Sequence, residues 1–99
     1  MSNKPQYRFV LFISGASPNS VRALNNLKEI CESHIKGNYK LEVVDIYQQP
    51  ELAKQEQIIA LPTLIRKSPT PTRQLIGDMC DRGKVLRGLG IDPLNNAPK

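Results

Sequence analysis

The stretch of the chain that most restricts its possible folds is residues 7–14, YRFVLFIS, an almost unbroken apolar run of strand length. Strands of this composition are typically buried on both faces, and they occur mostly in parallel sheets that helices cover. Directly afterwards, Ser17 is a typical helix N-cap and Pro18 suits the first helical position. A buried strand that leads at once into a helix predicts an α/β fold.

Apolar residues then recur at spacings of three and four, which predicts an amphipathic helix that ends at Gly37 and Asn38. The apolar positions of this helix are Val21, Leu24, Leu27, Cys31 and Ile35. A second strand is predicted over residues 39–46, with alternating burial at first and two-sided burial at its end. Strand, helix and strand in about 40 residues form a βαβ unit, in which the strands are parallel and the crossover is right-handed.

The middle of the chain contains shorter elements. A short helix is predicted after Pro50, and a short strand over residues 60–65 is entered through Pro62. Residues 68–72, SPTPT, interrupt the pattern, and residues 73–77 predict a second short strand. Together these two strands predict a hairpin.

A final helix is predicted with Asp78 as its N-cap. Its predicted apolar positions are Met79, Val85, Leu86 and Leu89. Three glycines, Gly83, Gly88 and Gly90, are predicted to lie within it, and each costs about 1 kcal/mol relative to alanine. Local preference for this helix is therefore weak.

A chain of 99 residues suits one domain. We expect a flexible N-terminus over residues 1–6, a single domain over residues 7–91 and a disordered tail over residues 92–99. No apolar run approaches the roughly 18 residues of a membrane helix. The first residues lack the apolar segment of a signal peptide, so we expect a cytoplasmic protein.

The composition excludes several classes of function. The net charge is +5, from 14 Lys and Arg against 9 Asp and Glu, but aromatic residues are only 5% and Trp is absent. This favours a solvated or protein-facing basic surface over nucleic-acid binding. Cys31 and Cys80 form no CxxC pair and His34 is the one histidine, which excludes a zinc finger. Both cysteines are predicted to be buried, and no metal or other cofactor is expected.

The predicted order of elements is similar to the thioredoxin fold. Residues 17–20, SPNS, open the first helix where a thioredoxin-like redox protein has Cys-Pro-x-Cys, and Pro62 stands where that fold keeps a cis-proline. Thiol–disulfide exchange requires a thiolate at a helix N-terminus and a second thiol. Serine hydroxyls cannot replace either group. Structural roles are therefore predicted for Ser17, Pro18 and Pro62.

A more specific resemblance begins at residues 15–24, GASPNSVRAL, which resemble the G-x-[ST]-P-N-S-x-R-A-L segment of the KaiB family of circadian clock proteins. Further similar blocks, in the same order, are 44–46 (VDI), 49–53 (QPELA), 59–64 (IALPTL), 69–71 (PTP), Arg73, 76–78 (IGD), 84–86 (KVL), Gly88 and Leu89. The resemblance spans residues 7–91. The N-terminal sensor domain of the clock histidine kinase SasA is a related thioredoxin-like module.

This resemblance implies a non-enzymatic regulatory protein that binds the ATPase ring of KaiC and modulates its phosphorylation state and its output through histidine kinases. It also implies a fold-switching protein. In such a protein a dimeric or tetrameric ground state rearranges its C-terminal half into a thioredoxin-like monomer that binds KaiC. Two packings of one sequence coexist when their free energies differ by only a few kcal/mol.

The resemblance implies a partner-binding surface that comprises Arg22, Lys54, Gln57, Ile58, Arg66, Arg73, Gly88 and Gly90. In the thioredoxin-like form Gly88 is expected within the last helix, so Gly88→Ala is expected to favour that form and to speed association with KaiC.

Three residues depart from the family pattern in ways that bear on binding of another clock protein, KaiA. Glu42 stands on the second strand where Lys is usual, at the edge that meets KaiA, and Gln57 and Gln74 stand where basic residues are common. A reversed charge at such a contact changes partner choice. These differences argue against KaiA as a partner. One alternative is a KaiA-independent paralogue in a stress response, and another is a redox or chaperone-type module that uses Cys31 or Cys80.

Overall fold

A computed structural model describes residues 6–91 of the chain. The elements are β1 (Tyr7–Ile13), α1 (Pro18–His34), β2 (Tyr39–Asp45), α2 (Pro50–Gln55), β3 (Thr63–Ser68), β4 (Arg73–Ile76) and α3 (Arg82–Leu89). Residues 1–5 and the expected disordered tail, residues 92–99, lie outside the described residues. Gln6 is described, and its backbone nitrogen donates a hydrogen bond of 2.9 Å to Oδ1 of Asn38.

The strands form one sheet in the order β2-β1-β3-β4. β1 and β2 are parallel, β3 is antiparallel to β1, and β4 is antiparallel to β3. β1 therefore lies between two strands, which explains why Phe9, Leu11 and Phe12 are almost fully buried. This mixed α/β architecture confirms the predicted thioredoxin-like fold, with its parallel βαβ unit and its C-terminal hairpin.

Helices cover both faces of the sheet. On one face, Phe9 and Leu11 pack with buried residues of α1 and α3 in the larger core. On the other face, Phe12, Val44 and Ile65 form a smaller core against Leu52 and Ala53 of α2. The two cores alternate along β1 because successive side chains of a strand point to opposite faces.

The direction of the strands gives the sheet two distinct ends. We call the end at which β1, β2 and β4 finish the upper end, and the opposite end the lower end. The upper end also contains the amino end of α1, the amino end of β3 and the loop before α3. The carboxyl end of α3 and the loop between β3 and β4 belong to the lower end.

The buried face of α1 agrees with the predicted one at Leu27, Cys31 and Ile35, and Leu24 is partly buried. Val21 is exposed, however, and Ser20, Ala23 and Ile30 are buried as well. Small residues allow α1 to approach the sheet closely, and a pattern of large apolar residues does not reveal them. The alternating burial predicted for residues 39–43 fails at Val43, which is exposed on the edge strand β2. At the end of the strand, where two-sided burial is predicted, Val44 is buried and Asp45 and Ile46 are half-buried.

The last helix begins later than predicted. Its N-cap is Asp81, whose side chain accepts a hydrogen bond of 3.1 Å from the nitrogen of Lys84. Met79 has a φ of 62°, which is incompatible with a helix, so Asp78 caps a turn and Met79 lies outside α3. Gly90 is not inside the helix either, because it is the C-cap with a φ of 72°. β3 also differs: it begins at Thr63, three positions later than predicted, and continues to Ser68.

Candidate functional site

At the upper end, the amino end of α1 is closed by a network of serine hydroxyls. Ser17 Oγ accepts a hydrogen bond from the nitrogen of Ser20 and donates one of 2.8 Å to Ser20 Oγ. The same Ser20 Oγ accepts a bond of 3.1 Å from the nitrogen of Ser14. The neighbouring Leu61-Pro62 peptide bond is cis, and the Pro62 carbonyl accepts from the nitrogen of Gly77. These hydroxyls and this proline connect the upper loops to one another.

At the upper end, besides Val21 of α1, three large apolar side chains of the loops and of the end of β4 are exposed to solvent. Tyr47 is 75% exposed, Ile59 is 92% exposed and Ile76 is 56% exposed. Exposed apolar residues gathered at one end of a fold indicate a protein-binding surface. Together, Tyr47, Ile59 and Ile76 are called the upper apolar group below.

The upper apolar group is not predicted from the sequence. Ile58 and Ile59 are adjacent and equally apolar, and the sequence does not indicate which of them is buried. In the structure Ile58 packs against the smaller core on the face covered by α2, whereas Ile59 is exposed. Tyr47 follows a strand and lies against Gly15, where an added Cβ would be 3.5 Å from the ring.

Arg22 of α1 lies near the upper apolar group and is half exposed. Its Nε is 3.6 Å from Oδ2 of Asp78, and its guanidinium also donates to Asn19. The hydrogen bonds that Asp78 accepts from Cys80, and secondarily the charge of Arg22, lower the pKa of the Asp78 carboxyl. Exposed ion pairs of this kind are weak, so Arg22 is available to a partner.

The predicted contact residues after Pro50 lie on the other face of the sheet. Lys54 is exposed on α2, and Gln57 is exposed with a φ of 56°. Ile58 is partly buried against the smaller core. This stretch therefore presents Lys54 and Gln57 to solvent and uses Ile58 in packing.

The remaining predicted contact residues lie toward the lower end. Arg73 is exposed on β4 and stands opposite Arg66 in the register of the sheet. Arg66 is only 5% exposed, and its burial, together with the charge of Arg73, lowers its pKa. Gly88 packs beneath Leu75, and Gly90 ends α3. The eight residues implied by the resemblance thus do not form one continuous patch, and Arg66 does not reach the surface.

The two cysteines differ from each other. Burial, with a smaller contribution from Glu32, raises the pKa of the Cys31 thiol to about 12. Cys80 is exposed, which corrects the prediction that both cysteines are buried. A hydrogen bond with Asp78 raises the pKa of the Cys80 thiol because Asp78 carries a negative charge. Neither environment favours a thiolate, which is the form needed for redox exchange.

We expect one thiol of the native protein to react with a soluble disulfide reagent, and to react slowly. Cys80 is accessible, and its raised pKa leaves little thiolate at neutral pH, so its rate should still be rising above pH 9. A stopped-flow thiol titration between pH 7 and pH 10 measures this, with Cys80→Ser as the control. Rapid reaction of Cys31 in the native state would contradict the burial.

Within residues 6–91, no group of three His, Cys, Asp or Glu side chains lies close enough to hold a metal ion. No helix in this part of the chain is long and apolar enough to cross a membrane.

Comparison with known proteins agrees with this geometry. In its fold, the chain is similar to the N-terminal domain of SasA from Synechococcus elongatus, with a TM-score of 0.71, 21% identity, and coverage of 91% of this chain and 88% of that domain. Mitochondrial thioredoxin 3 from Saccharomyces cerevisiae has a TM-score of 0.70 at 13% identity, with coverage of 89% and 80%.

A similarity in sequence is stronger. The chain is 48% identical over 91 residues to the circadian clock oscillator protein KaiB of Prochlorococcus marinus (strain MIT 9515), covering 92% of this chain and 84% of the relative. Residues 10–91 match the KaiB domain family. The chain therefore belongs to the KaiB family of circadian clock proteins.

Proposed function

We propose that this chain is a non-enzymatic, cytoplasmic regulator that binds the ring of a KaiC-like ATPase, modulates its phosphorylation state and passes the signal to an output histidine kinase. Membership of the KaiB family supports a clock or clock-like role. The fold is also similar to that of the N-terminal domain of a SasA protein. KaiA is not proposed as a partner, because Glu42 is exposed on the edge strand β2 and carries a reversed charge.

The observation that carries the proposal is the character of the upper end. The upper end of this thioredoxin-like fold presents exposed apolar side chains and Arg22. Neither of the described cysteines forms a pair of thiols there. The hydroxyls of Ser17 and Ser20 bond to each other across 2.8 Å. Such a surface suits docking of another protein and not electron transfer. The raised thiol pKa values likewise do not favour the redox alternative.

Charge reversal tests the docking surface. We expect Arg22→Glu and Arg73→Glu each to weaken binding of the KaiC-like ring about tenfold, because each guanidinium is exposed and can meet an acidic partner group, Arg22 by giving up its weak exposed pair with Asp78. Both side chains lie outside the two cores, so the melting temperature should stay close to that of the unaltered protein. Surface plasmon resonance with immobilised ring in the presence of ATP gives the affinities.

Lys28→Glu is the matched control, because Lys28 is exposed on the same helix as Arg22 and is not among the predicted contact residues. Its affinity should be unchanged. Unaltered affinity of both arginine variants would exclude this surface, and equal weakening by all three would show a non-specific effect of net charge.

The fold-switching property and the dimeric or tetrameric ground state are proposed for this chain on the family resemblance. The described packing is the thioredoxin-like one, and this is the form proposed to bind the ring. Gel filtration with and without the KaiC-like protein tests both points, because the ground state is expected to elute as an oligomer and the bound form as one chain per site.

A further inference from the structure

A buried arginine holds the lower end of the fold together. Arg66 Nη1 donates a hydrogen bond of 2.7 Å to the carbonyl of Leu89, the last residue of α3. Its Nη2 donates a bond of 2.7 Å to the carbonyl of Pro71, in the loop between β3 and β4. One side chain of β3 thus connects the end of α3 with the loop between β3 and β4.

The charge of this arginine has no carboxylate partner among residues 6–91. Within this described part of the chain its Nε also has no hydrogen-bond partner, and only 5% of the residue is exposed. Buried cations are normally paired, because leaving water is costly for a charge. Here two carbonyl oxygens take the place of the carboxylate, and one of them lies at the negative end of the α3 dipole.

The shape of the lower end is adapted to this arrangement. An added Cβ at Gly90 would lie 2.6 Å from Arg66 Nη1, so the chain has no room for a side chain where the guanidinium passes. Gly90 also has a φ of 72°, so α3 ends directly after Leu89, whose carbonyl accepts from Arg66. A surface-binding arginine would need none of these features.

We propose that Arg66 is a positioning residue: it sets the backbone of the hairpin loop and the end of α3, and thereby the exposed Arg73 beside them, without touching a partner. This inference rests on the proposed function for its effect on binding. The role of Arg66 in holding the loop and the end of α3 does not rest on the proposed function, because the two hydrogen bonds exist in the free chain. Arg73 stands directly opposite Arg66 in the sheet, which makes it the exposed group most dependent on this arrangement.

Hydrogen exchange of the free protein tests the structural part. In Arg66→Met the apolar side chain fills most of the space but donates no hydrogen bond. We expect the amides of Gly90 and Ile91, which donate to carbonyls of α3, to exchange about ten- to hundredfold faster, while amides of β1 stay protected. Arg66→Lys keeps the charge but cannot donate in two directions like a guanidinium, so we expect an intermediate rate.

Salt dependence of binding separates positioning from direct contact. An arginine that meets an acidic partner group contributes to the slope of affinity against salt concentration. We expect Arg73→Met to reduce both affinity and slope. We expect Arg66→Met to reduce affinity about tenfold and to leave the slope unchanged, with partial recovery in Arg66→Lys.

Two results would overturn the assignment. Unchanged exchange at Gly90 and Ile91 in both Arg66 variants would show that the arginine does not hold the end of α3. A reduced salt slope in Arg66→Met, as large as that of Arg73→Met, would show that Arg66 itself meets the partner. Failure of the unaltered chain to bind the ring would instead refute the proposed function, and the exchange result would still decide the role of Arg66.

Discussion

Gly90→Ala is expected to lower the free energy of unfolding by about 2.5–5 kcal/mol. Alanine with the φ of 72° found at Gly90 costs about 1–2 kcal/mol. Its Cβ would also lie 2.6 Å from Arg66 Nη1 and would displace the guanidinium from the Leu89 carbonyl. Loss of a hydrogen bond from a charged donor costs about another 1.5–3 kcal/mol. Urea denaturation followed by circular dichroism measures the sum.

Gly37→Ala is the matched control for this prediction. Gly37 has a similar φ of 78°, but an added Cβ there would meet nothing within 4 Å. Only the backbone penalty of about 1–2 kcal/mol is expected. Equal losses in the two variants would show that Arg66 does not stabilise the end of α3.

Gly88→Ala is expected to destabilise the protein by about 1–2 kcal/mol. From the sequence, this change was expected to stabilise the last helix, but the structure reverses the sign. An added Cβ would lie 2.5 Å from Cδ2 of Leu75 and 3.1 Å from its Cγ, so rotation of the leucine cannot relieve the contact fully. Overpacking of this kind costs about 1–3 kcal/mol, and only part is offset by the higher helix propensity of alanine.

The matched control is Gly83→Ala in the same helix. There an added Cβ would lie 3.2 Å from a guanidinium nitrogen of Arg87, at the far end of a flexible side chain, and 3.7 Å from Oδ1 of Asp81, which is an ordinary van der Waals distance. We expect a gain of up to about 1 kcal/mol from helix propensity. If Gly88→Ala stabilised the protein as much as Gly83→Ala, Gly88 would not be a packing position.

The amino-terminal half of the fold could be predicted because its signals are local. The apolar run of β1, the cap at Ser17 and the spacing of α1 all refer to neighbours within a few residues. The insertion of β3 beside β1 is not local, so the edge position of β2 and the exposure of Val43 did not follow from the pattern.

The carboxyl-terminal half was less predictable because backbone conformation and long-range contacts decide it. Met79 has a left-handed φ, so the N-cap of α3 is Asp81 and not the predicted Asp78. Methionine rarely adopts this φ, and the sequence therefore does not indicate it. The family resemblance places Arg66 among the contact residues, and nothing in the sequence indicates that this arginine is buried, since arginine is usually exposed. Its acceptors, Leu89 and Pro71, are brought to it only by the fold.

The candidate site was partly predictable for a similar reason. Arg22, Lys54 and Arg73 are exposed, as a contact surface requires, and the replacement of a dithiol by Ser17 and Ser20 is visible in the sequence. The upper apolar group was not predicted, because apolar residues are usually assigned to the core. Only the fold shows that Ile58 is packed and Ile59 is exposed.

The most direct test is to mix the full chain with the KaiC-like ATPase of the same organism in the presence of ATP and to measure the mass of the product by native mass spectrometry. We expect a complex in which single chains occupy the sites of the ring, together with no activity of the free chain in an insulin-reduction assay. A ring that stays unoccupied at micromolar concentrations of the chain, or a chain that reduces insulin, would contradict the proposed role.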